Sequence, residues 1–291
     1  MIPASFEYSA PKSLAEAIAL LQKHGADAKL LAGGQSLIPL MKLRMAAPKH
    51  VIDINGIRDL AYIRESDGYL TIGALTREAD LDASDLVRKK YPIIADTAAV
   101  IGDPLVRNLA TVGGNLAHAD PANDHPATML ALGTEVVAVG PKGSRKIPLT
   151  GFFTGLFTTA LQPDEILTEL RIPSPPPRSG GAYLKVERKV GDFAAAAVAA
   201  QVTLDANNIV QRAGIGLTNV GQTPIKAVRA EKALIGKAAD EKIIEEAARI
   251  ASTEAEPSDD LRGSADYKRN LVRVLTARAL RLAVSRAKGE H

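Results

Sequence analysis

Whatever fold this chain adopts, it must make room for two glycine pairs, Ala32-Gly33-Gly34-Gln35-Ser36 and Thr111-Val112-Gly113-Gly114-Asn115. Each pair adjoins an apolar stretch and is followed by a small polar residue. Glycine lacks the Cβ that would keep a charged group away. It also enters the φ > 0 region that turns successive N–H groups towards one anion. Ser36 and Asn115 add side-chain donors. Two such loops converging on one ligand suit a pyrophosphate, and hence a dinucleotide. Taken singly, either pair also reads as an ordinary turn. There is no G-x-G-x-x-G turn and no G-x-x-x-x-G-K-[ST] loop, so a dinucleotide here implies a fold other than the Rossmann type.

A chain of 291 residues exceeds the usual size of one core, so two domains are expected. The net charge is only +3 and the basic residues are dispersed, which argues against a nucleic-acid surface. No apolar run approaches the roughly 18 residues of a membrane span, and the N-terminus lacks a basic-then-apolar leader. The chain is therefore expected to be cytoplasmic. It contains no cysteine, which excludes disulfides, a thiolate nucleophile and an all-cysteine iron–sulfur cluster within it. Without Trp, and with few Phe and Tyr, no aromatic cage is evident.

Ser13-Leu14-Ala15-Glu16 opens a helix as a capping box, with Leu14, Ala17, Ile18 and Leu21 as its stripe and Gly25 as its stop. Lys29–Ala32, Val51–Ile54 and Tyr69–Gly73 read as strands, and helices begin at about Leu75 and at Ile93 after Pro92. Glu135–Val139 and Glu169–Ile172 are further strands. The stretch 172–181 carries four prolines, which hold it extended and mark a linker. Beyond it, strands at Tyr183–Arg188, Val198–Leu204 and Ile209–Leu217 precede helices at about Ala227–Leu234, Ala239–Ser252 and Ser264–Lys288. Three strands and three helices predict a compact α+β module.

The segment His118-Ala119-Asp120-Pro121-Ala122-Asn123-Asp124-His125 holds two histidines and two aspartates, which admits a metal-site reading. Pro121 within the segment and Pro126 just after it make it irregular, and neither a cysteine nor an H-E-x-x-H partner exists. No Ser-His-Asp set with recognisable context appears either.

The contexts LLAGGQSLIPLMKLRMAAPKHVIDI (residues 30–54) and LATVGGNLAHADPANDHPATMLALG (residues 109–133) carry a family resemblance. So do the opening MIPASFEYSAPKSLAEAIALL and the segments LQPDEILTELRIPSPP, KVERKVGDFAAAA and IGLTNVGQTP. Essentially end to end, the chain resembles the FAD-binding medium subunits of the molybdenum hydroxylases, aerobic carbon monoxide dehydrogenase among them. The resemblance implies a two-lobed FAD-binding domain of the vanillyl-alcohol-oxidase (PCMH) type over residues 1–173, with lobes 1–56 and 57–173. A linker at 174–181 and a small α+β domain over 182–291, with a three-stranded antiparallel sheet and three helices, would follow.

On this resemblance Ala32, Gly33, Gly34, Gln35 and Ser36 would hold one side of the pyrophosphate and Thr111, Gly113, Gly114 and Asn115 the other. Asp124 would accept from the ribityl hydroxyls. Asp120 would order its loop through Asx-type bonds, and His118 and His125 are read as structural. Leu37 would pack beneath the cofactor or simply belong to the core. The backbone at Ile166 and Leu167 would approach the isoalloxazine. Phe193 departs from the family's common Tyr: it keeps the stacking surface and loses the hydroxyl. Lys185 and Lys189 read as a solvated strand, or alternatively as positive charge near the flavin. No catalytic residue and no metal ligand are expected within the chain, because the flavin supplies the redox chemistry.

The resemblance further implies a large molybdenum-cofactor subunit, a small [2Fe–2S] subunit, a dimer of such heterotrimers and an electron acceptor such as a quinone. Carbon monoxide is the best single substrate. A free-standing FAD oxidoreductase and a scaffold that has lost FAD are the rival readings. The first would need a catalytic acid, for which no candidate is evident, and the second would have no use for the glycine loops.

Overall fold

The structure is a computed structural model and describes residues 1–290. The chain opens with β1 (Glu7–Ser9), α1 (Leu14–His24), β2 (Ala28–Leu31), α2 (Leu37–Lys42) and β3 (His50–Asp53). These strands pair in parallel in the order β1-β3-β2. Ser13 caps α1 as its sequence predicts, its hydroxyl accepting from the Glu16 N–H, while the Glu16 carboxylate reaches back to the Lys12 N–H. Ala17, Ile18 and Leu21 bury the apolar stripe of α1 on Ile52 and Ile54.

A second lobe follows: β4 (Ile63–Ser66), β5 (Tyr69–Gly73), α3 (Glu78–Ala83), α4 (Asp85–Lys90), α5 (Pro92–Ala99), α6 (Pro104–Arg107), α7 (Val112–His118), α8 (His125–Ala131), β6 (Glu135–Gly140), β7 (Gly143–Pro148), the short β8 (Phe153–Gly155) and β9 (Thr158–Thr159), and β10 (Ile166–Pro173). Its antiparallel sheet has the order β4-β5-β10-β6-β7. Chain-distant β10 is thus the central strand. The sequence reading catches β10 only from Glu169 and misses the strands β4, β7, β8 and β9 and the helices α4, α6, α7 and α8. These helices are too short to show a period of 3.6.

The remaining elements are β11 (Ser179–Val186), β12 (Ala196–Leu204), β13 (Val210–Thr218), β14 (Ile225–Lys226), α9 (Val228–Leu234), α10 (Glu241–Glu254) and α11 (Ala265–Lys288). The antiparallel sheet therefore has four strands where three were expected. The fourth is a two-residue edge pairing with Gly216 and Leu217, too short to leave an alternating pattern. β11 also starts inside the proline-rich stretch, at Ser179, so only residues 174–178 lack regular structure.

This sheet is buried on both faces. Along β12, Ala197 and Ala199 face the core of the second lobe, whereas Ala196, Val198, Ala200 and Val202 face α10 and α11. Such a strand reads as a continuous apolar run because neither face meets water. On β13, a Cβ at Gly214 or Gly216 would overlap the carbonyl oxygens of Ala131 and Ala127, which lie one helical turn apart on α8. On β11, a Cβ at Gly180 would collide in the same way with the α11 backbone at Ala283. Arg286 of α11 adds a bidentate pair with Asp96 of α5, at 2.6 and 3.1 Å.

Gly216→Val should lower the unfolding free energy by about 3 kcal/mol, the upper range for overpacking. At Gly151 a Cβ would meet nothing within 4 Å, so Gly151→Ala should stay within about 0.5 kcal/mol of wild type. Urea denaturation of the two variants checks the contrast, and equal effects would refute the close-approach argument.

Candidate cofactor site

The first glycine loop leaves the end of β2 and becomes α2. Gly34 takes φ +73°, which needs glycine, and the Gln35 side-chain amide closes the loop by donating to the Gly33 carbonyl at 3.2 Å. The amides of Gly33, Gly34, Gln35, Ser36 and Leu37 find no acceptor among the described residues. All five residues are half-buried. The Ser36 hydroxyl caps nothing in α2 and is free to join them. Five consecutive unpartnered N–H groups with a free hydroxyl make an anion cradle.

The second glycine pair is built differently. It is the first turn of α7, capped by the Thr111 hydroxyl, which accepts from the Gly114 N–H at 3.2 Å. The Val112 and Gly113 amides donate to the Thr76 and Ala74 carbonyls, and the Asn115 amide to Thr111 O. Neither glycine has positive φ. The expectation that this pair turns its amides outward is therefore corrected, because helix geometry and the neighbouring backbone consume them. A Cβ at Gly113 would collide with Ala74, and one at Gly114 would lie 2.7 Å from Thr111 Oγ1. Here glycine serves close packing. The turn still offers the Thr111 hydroxyl and the Asn115 side chain, whose Oδ1 is buried without a partner.

The structure brings the two loops together. A Cβ on Gly33 would overlap the Leu109 carbonyl and come within 3.0 Å of the Thr111 nitrogen. Branching at Gly33 would thus pry the loops apart, which is a different effect from filling a phosphate position. Sequence reasoning missed Asp53, Asn55 and Arg77, which join the loops. Asn55 Nδ2 donates to Ala32 O at 2.7 Å, and Arg77 donates to both Asn55 Oδ1, at 2.7 Å, and Leu109 O. Two polar residues flanking Ile54 at the end of a buried strand, Asp53 and Asn55, were the available signal.

Asp124 lies at the start of α8 and is 5% exposed. Its carboxylate accepts from Tyr183 Oη at 2.5 Å and from Lys185 Nζ at 3.1 Å. Burial pushes the Asp124 carboxyl up from the ordinary range, opposed by Lys185 and then Tyr183. Burial and the neighbouring Asp124 raise the Tyr183 phenol well above its usual value. Lys185 is no member of a solvated strand. Its side chain is 3% exposed and also reaches Glu187 at 3.3 Å and the Val100 carbonyl. Lys189 is exposed, as expected. β11 carries Tyr183 and Lys185 two residues apart, on one face of the strand, where they meet Asp124.

The two histidines go separate ways. His118 packs at a tilt against Phe157, with ring centroids 5.2 Å apart, while His125 is wholly buried against Glu78, with Nε2 2.6 Å from Oε2. Asp120 accepts from the Ala122 amide at 2.9 Å, the Asx bond that the sequence predicts. Among the described residues no cluster of three or more His, Cys, Asp or Glu could hold a metal ion.

Ile166 and Leu167 are buried in opposite cores, Ile166 with the first lobe and Leu167 with the second, so only their backbone could face a ligand. Leu37 is half-buried at the loop end. Phe193 stands between β11 and β12, 44% exposed, with Arg262 5.8 Å from its ring centroid. Beside it, Arg262 and Arg188 pull the Asp192 carboxyl down to about 2. The loop is thereby braced while the ring stays available.

Two family models match the chain: the FAD binding domain in molybdopterin dehydrogenase over residues 4–175, and the CO dehydrogenase flavoprotein C-terminal domain over residues 181–283. The carbon monoxide dehydrogenase medium chain of Afipia carboxidovorans is 45% identical over 99% of this chain and 100% of that one. The glyceraldehyde dehydrogenase medium chain of Sulfolobus acidocaldarius is 37% identical over 97% and 99%. Among solved structures, carbon monoxide dehydrogenase from Hydrogenophaga pseudoflava superposes with a TM-score of 0.96 at 47% identity, covering 98% of this chain and 99% of that chain.

Lys185→Met should destabilise the flavin-free chain by about 3–5 kcal/mol, since it strands a buried carboxylate. Adding Asp124→Leu should recover part of the loss. A single variant costing under about 1 kcal/mol in urea titration would contradict the buried pairing.

The amide cradle, the loops locked against it and the end-to-end match place the chain in the family of FAD-binding medium subunits of carbon monoxide dehydrogenase and the related molybdenum hydroxylases.

Proposed function

We propose that this chain is the electron-transfer subunit of a heterotrimeric molybdenum hydroxylase that oxidises carbon monoxide. In this reading a large subunit carries the molybdenum cofactor and a small one carries two [2Fe–2S] clusters. FAD, when bound, accepts electrons from those clusters and yields them to an external acceptor such as a quinone. The absence of cysteine supports the placement of the clusters on another polypeptide. Two of the similar medium chains carry carbon monoxide dehydrogenase in their names, which supports the substrate. A dimer of heterotrimers and a cytoplasmic location belong to the same reading. No helix among the described residues is long and apolar enough to cross a membrane.

The observation that carries the proposal is the row of unpartnered amides from Gly33 to Leu37. They would bind the pyrophosphate, together with the Ser36 hydroxyl and with Thr111 and Asn115 from the facing turn. Each charge-assisted hydrogen bond there is worth about 1.5–3 kcal/mol. Asp124 would orient the ribityl chain, the backbone at Ile166 and Leu167 would border the isoalloxazine, and Phe193 would offer it a face. The FAD domain is taken as residues 1–173, with lobes 1–56 and 57–173. The linker is 174–181 and the second domain 182–291. The polypeptide binds, orients and shields, and no side chain need exchange protons with a substrate.

Purification of the native complex should yield this chain with a large and a small partner, absorbance bands of flavin and iron–sulfur clusters, and FAD on denaturation. A flavoprotein that purifies alone and turns over without partners would refute the assembly. Within the site, Asp124→Ala should weaken FAD binding by about 1.5–3 kcal/mol. His118→Ala should do less, and added chelator should change nothing. Flavin titration of the stripped chain reads these effects, and a chelator-sensitive loss would overturn the flavin assignment of this segment.

A further inference from the structure

A chain of polar contacts spans the two lobes beneath the glycine loops. Tyr8 Oη donates to Asp53 Oδ2 at 2.6 Å, and Asp53 Oδ1 accepts from the backbone and side-chain nitrogens of Asn55 at 2.9 and 2.7 Å. Asn55 Nδ2 also donates to the Ala32 carbonyl, and Asn55 Oδ1 accepts from Arg77 Nη2. Arg77 Nη1 reaches the Leu109 carbonyl. One guanidinium and one amide thus hold carbonyls just before both loops. The amide orientation is determined by its neighbours, since a flip would set Oδ1 against two acceptors. Burial alone would raise the Asp53 carboxyl, but the hydrogen bonds from Tyr8 and Asn55 and the charge of Arg77 hold it below its ordinary value.

The backbone already laces the second loop to its own lobe. Val112 donates to Thr76 O and Glu78 donates to Ala110 O, each at 3.1 Å. The Arg77 side chain is therefore surplus to holding that loop in place. What it adds is the tie across to the first lobe, from Nη2 to Asn55 Oδ1, while Nη1 holds the Leu109 carbonyl that a Cβ on Gly33 would strike. The guanidinium holds its two acceptors from two separate nitrogens in a fixed planar fork, a geometry that the single ammonium nitrogen of a lysine does not reproduce.

We propose that Arg77, acting through Asn55, is a positioning residue that sets the spacing between the Gly33–Leu37 amide row and the Thr111–Asn115 turn, and thereby the fit of the FAD pyrophosphate. The proposal rests on the assignment of the glycine loops as the pyrophosphate site. Loss of the tie leaves the fold of each lobe intact and lets the two halves of the cradle drift. The penalty falls on a ligand that must bridge both halves. FMN presents a single phosphate to the same cradle and suffers less.

The test titrates FAD and FMN separately into the full chain stripped of flavin, for wild type, Arg77→Met, Arg77→Lys, Asn55→Ala, the Arg77→Met/Asn55→Ala double variant and Gly34→Val, with the thermal midpoint of each flavin-free form. Arg77→Met and Asn55→Ala should each raise the FAD dissociation constant by about tenfold or more. Their preference for FAD over FMN should fall, and their midpoints should stay at the wild-type value. The double variant should be no weaker than either single one, because the two residues act in series. Arg77→Lys should lie between wild type and Arg77→Met. If Arg77→Met binds FAD as wild type does while Gly34→Val has lost it, the clamp is wrong and the loop assignment stands. If Gly34→Val also binds normally, the loop assignment fails and the clamp with it. An equal loss of FAD and FMN affinity together with a lowered midpoint makes Arg77 a stability residue and overturns the proposal.

Discussion

The molecule depends on one close approach, that of the sheet β11–β14 to α8. Gly214 and Gly216 let β13 lie directly on the α8 backbone, and the alanines of β12 keep both faces of the sheet thin. A larger residue at either glycine would meet backbone, which cannot swing aside as a side chain can. This contact makes the C-terminal sheet a wall shared by two cores. It also places β11 so that Tyr183 and Lys185 arrive at Asp124 from across the domain boundary. The carboxylate proposed to orient the ribityl chain is therefore itself held by residues of the C-terminal sheet.

The two glycine pairs look alike as strings and do different work. In the first, a positive φ at Gly34 and a row of unpaired amides leave backbone polarity unspent within the protein. In the second, glycine permits α7 to start against Ala74, and the amides are consumed within the protein. A pyrophosphate at their junction would meet amides from one side and side-chain donors from the other. That asymmetry explains why the spacing of the two loops matters and why a rigid tie between the lobes has value. The Glu78 and His125 side chains form a buried pair of their own. It shows how a histidine inside a conspicuous motif can be taken up by structure alone.

Much of the architecture was legible from the chain itself. The capped first helix, the proline-rich break and the apolar run of β12 each carry a local signal, because capping, φ restriction and burial on both faces act over a few residues. The bend at the first glycine loop was legible for the same reason, since glycine admits the positive φ found at Gly34. The resemblance extended that reading to the cofactor and the fold type. The short helices α4, α6 and α7 and the two-residue β14 were not legible, because packing holds them in place and no periodicity marks them.

Local sequence determined where the backbone could bend and where it must be buried. Only the tertiary structure decided that Lys185 is buried on Asp124 and not solvated, that the second glycine pair spends its amides internally, and that Asp53, Asn55 and Arg77 join the loops. Each of these is a pairing between residues far apart in the chain. Whether a charged side chain is paired or solvated is settled by the partner that the fold delivers to it, and no local pattern records that partner.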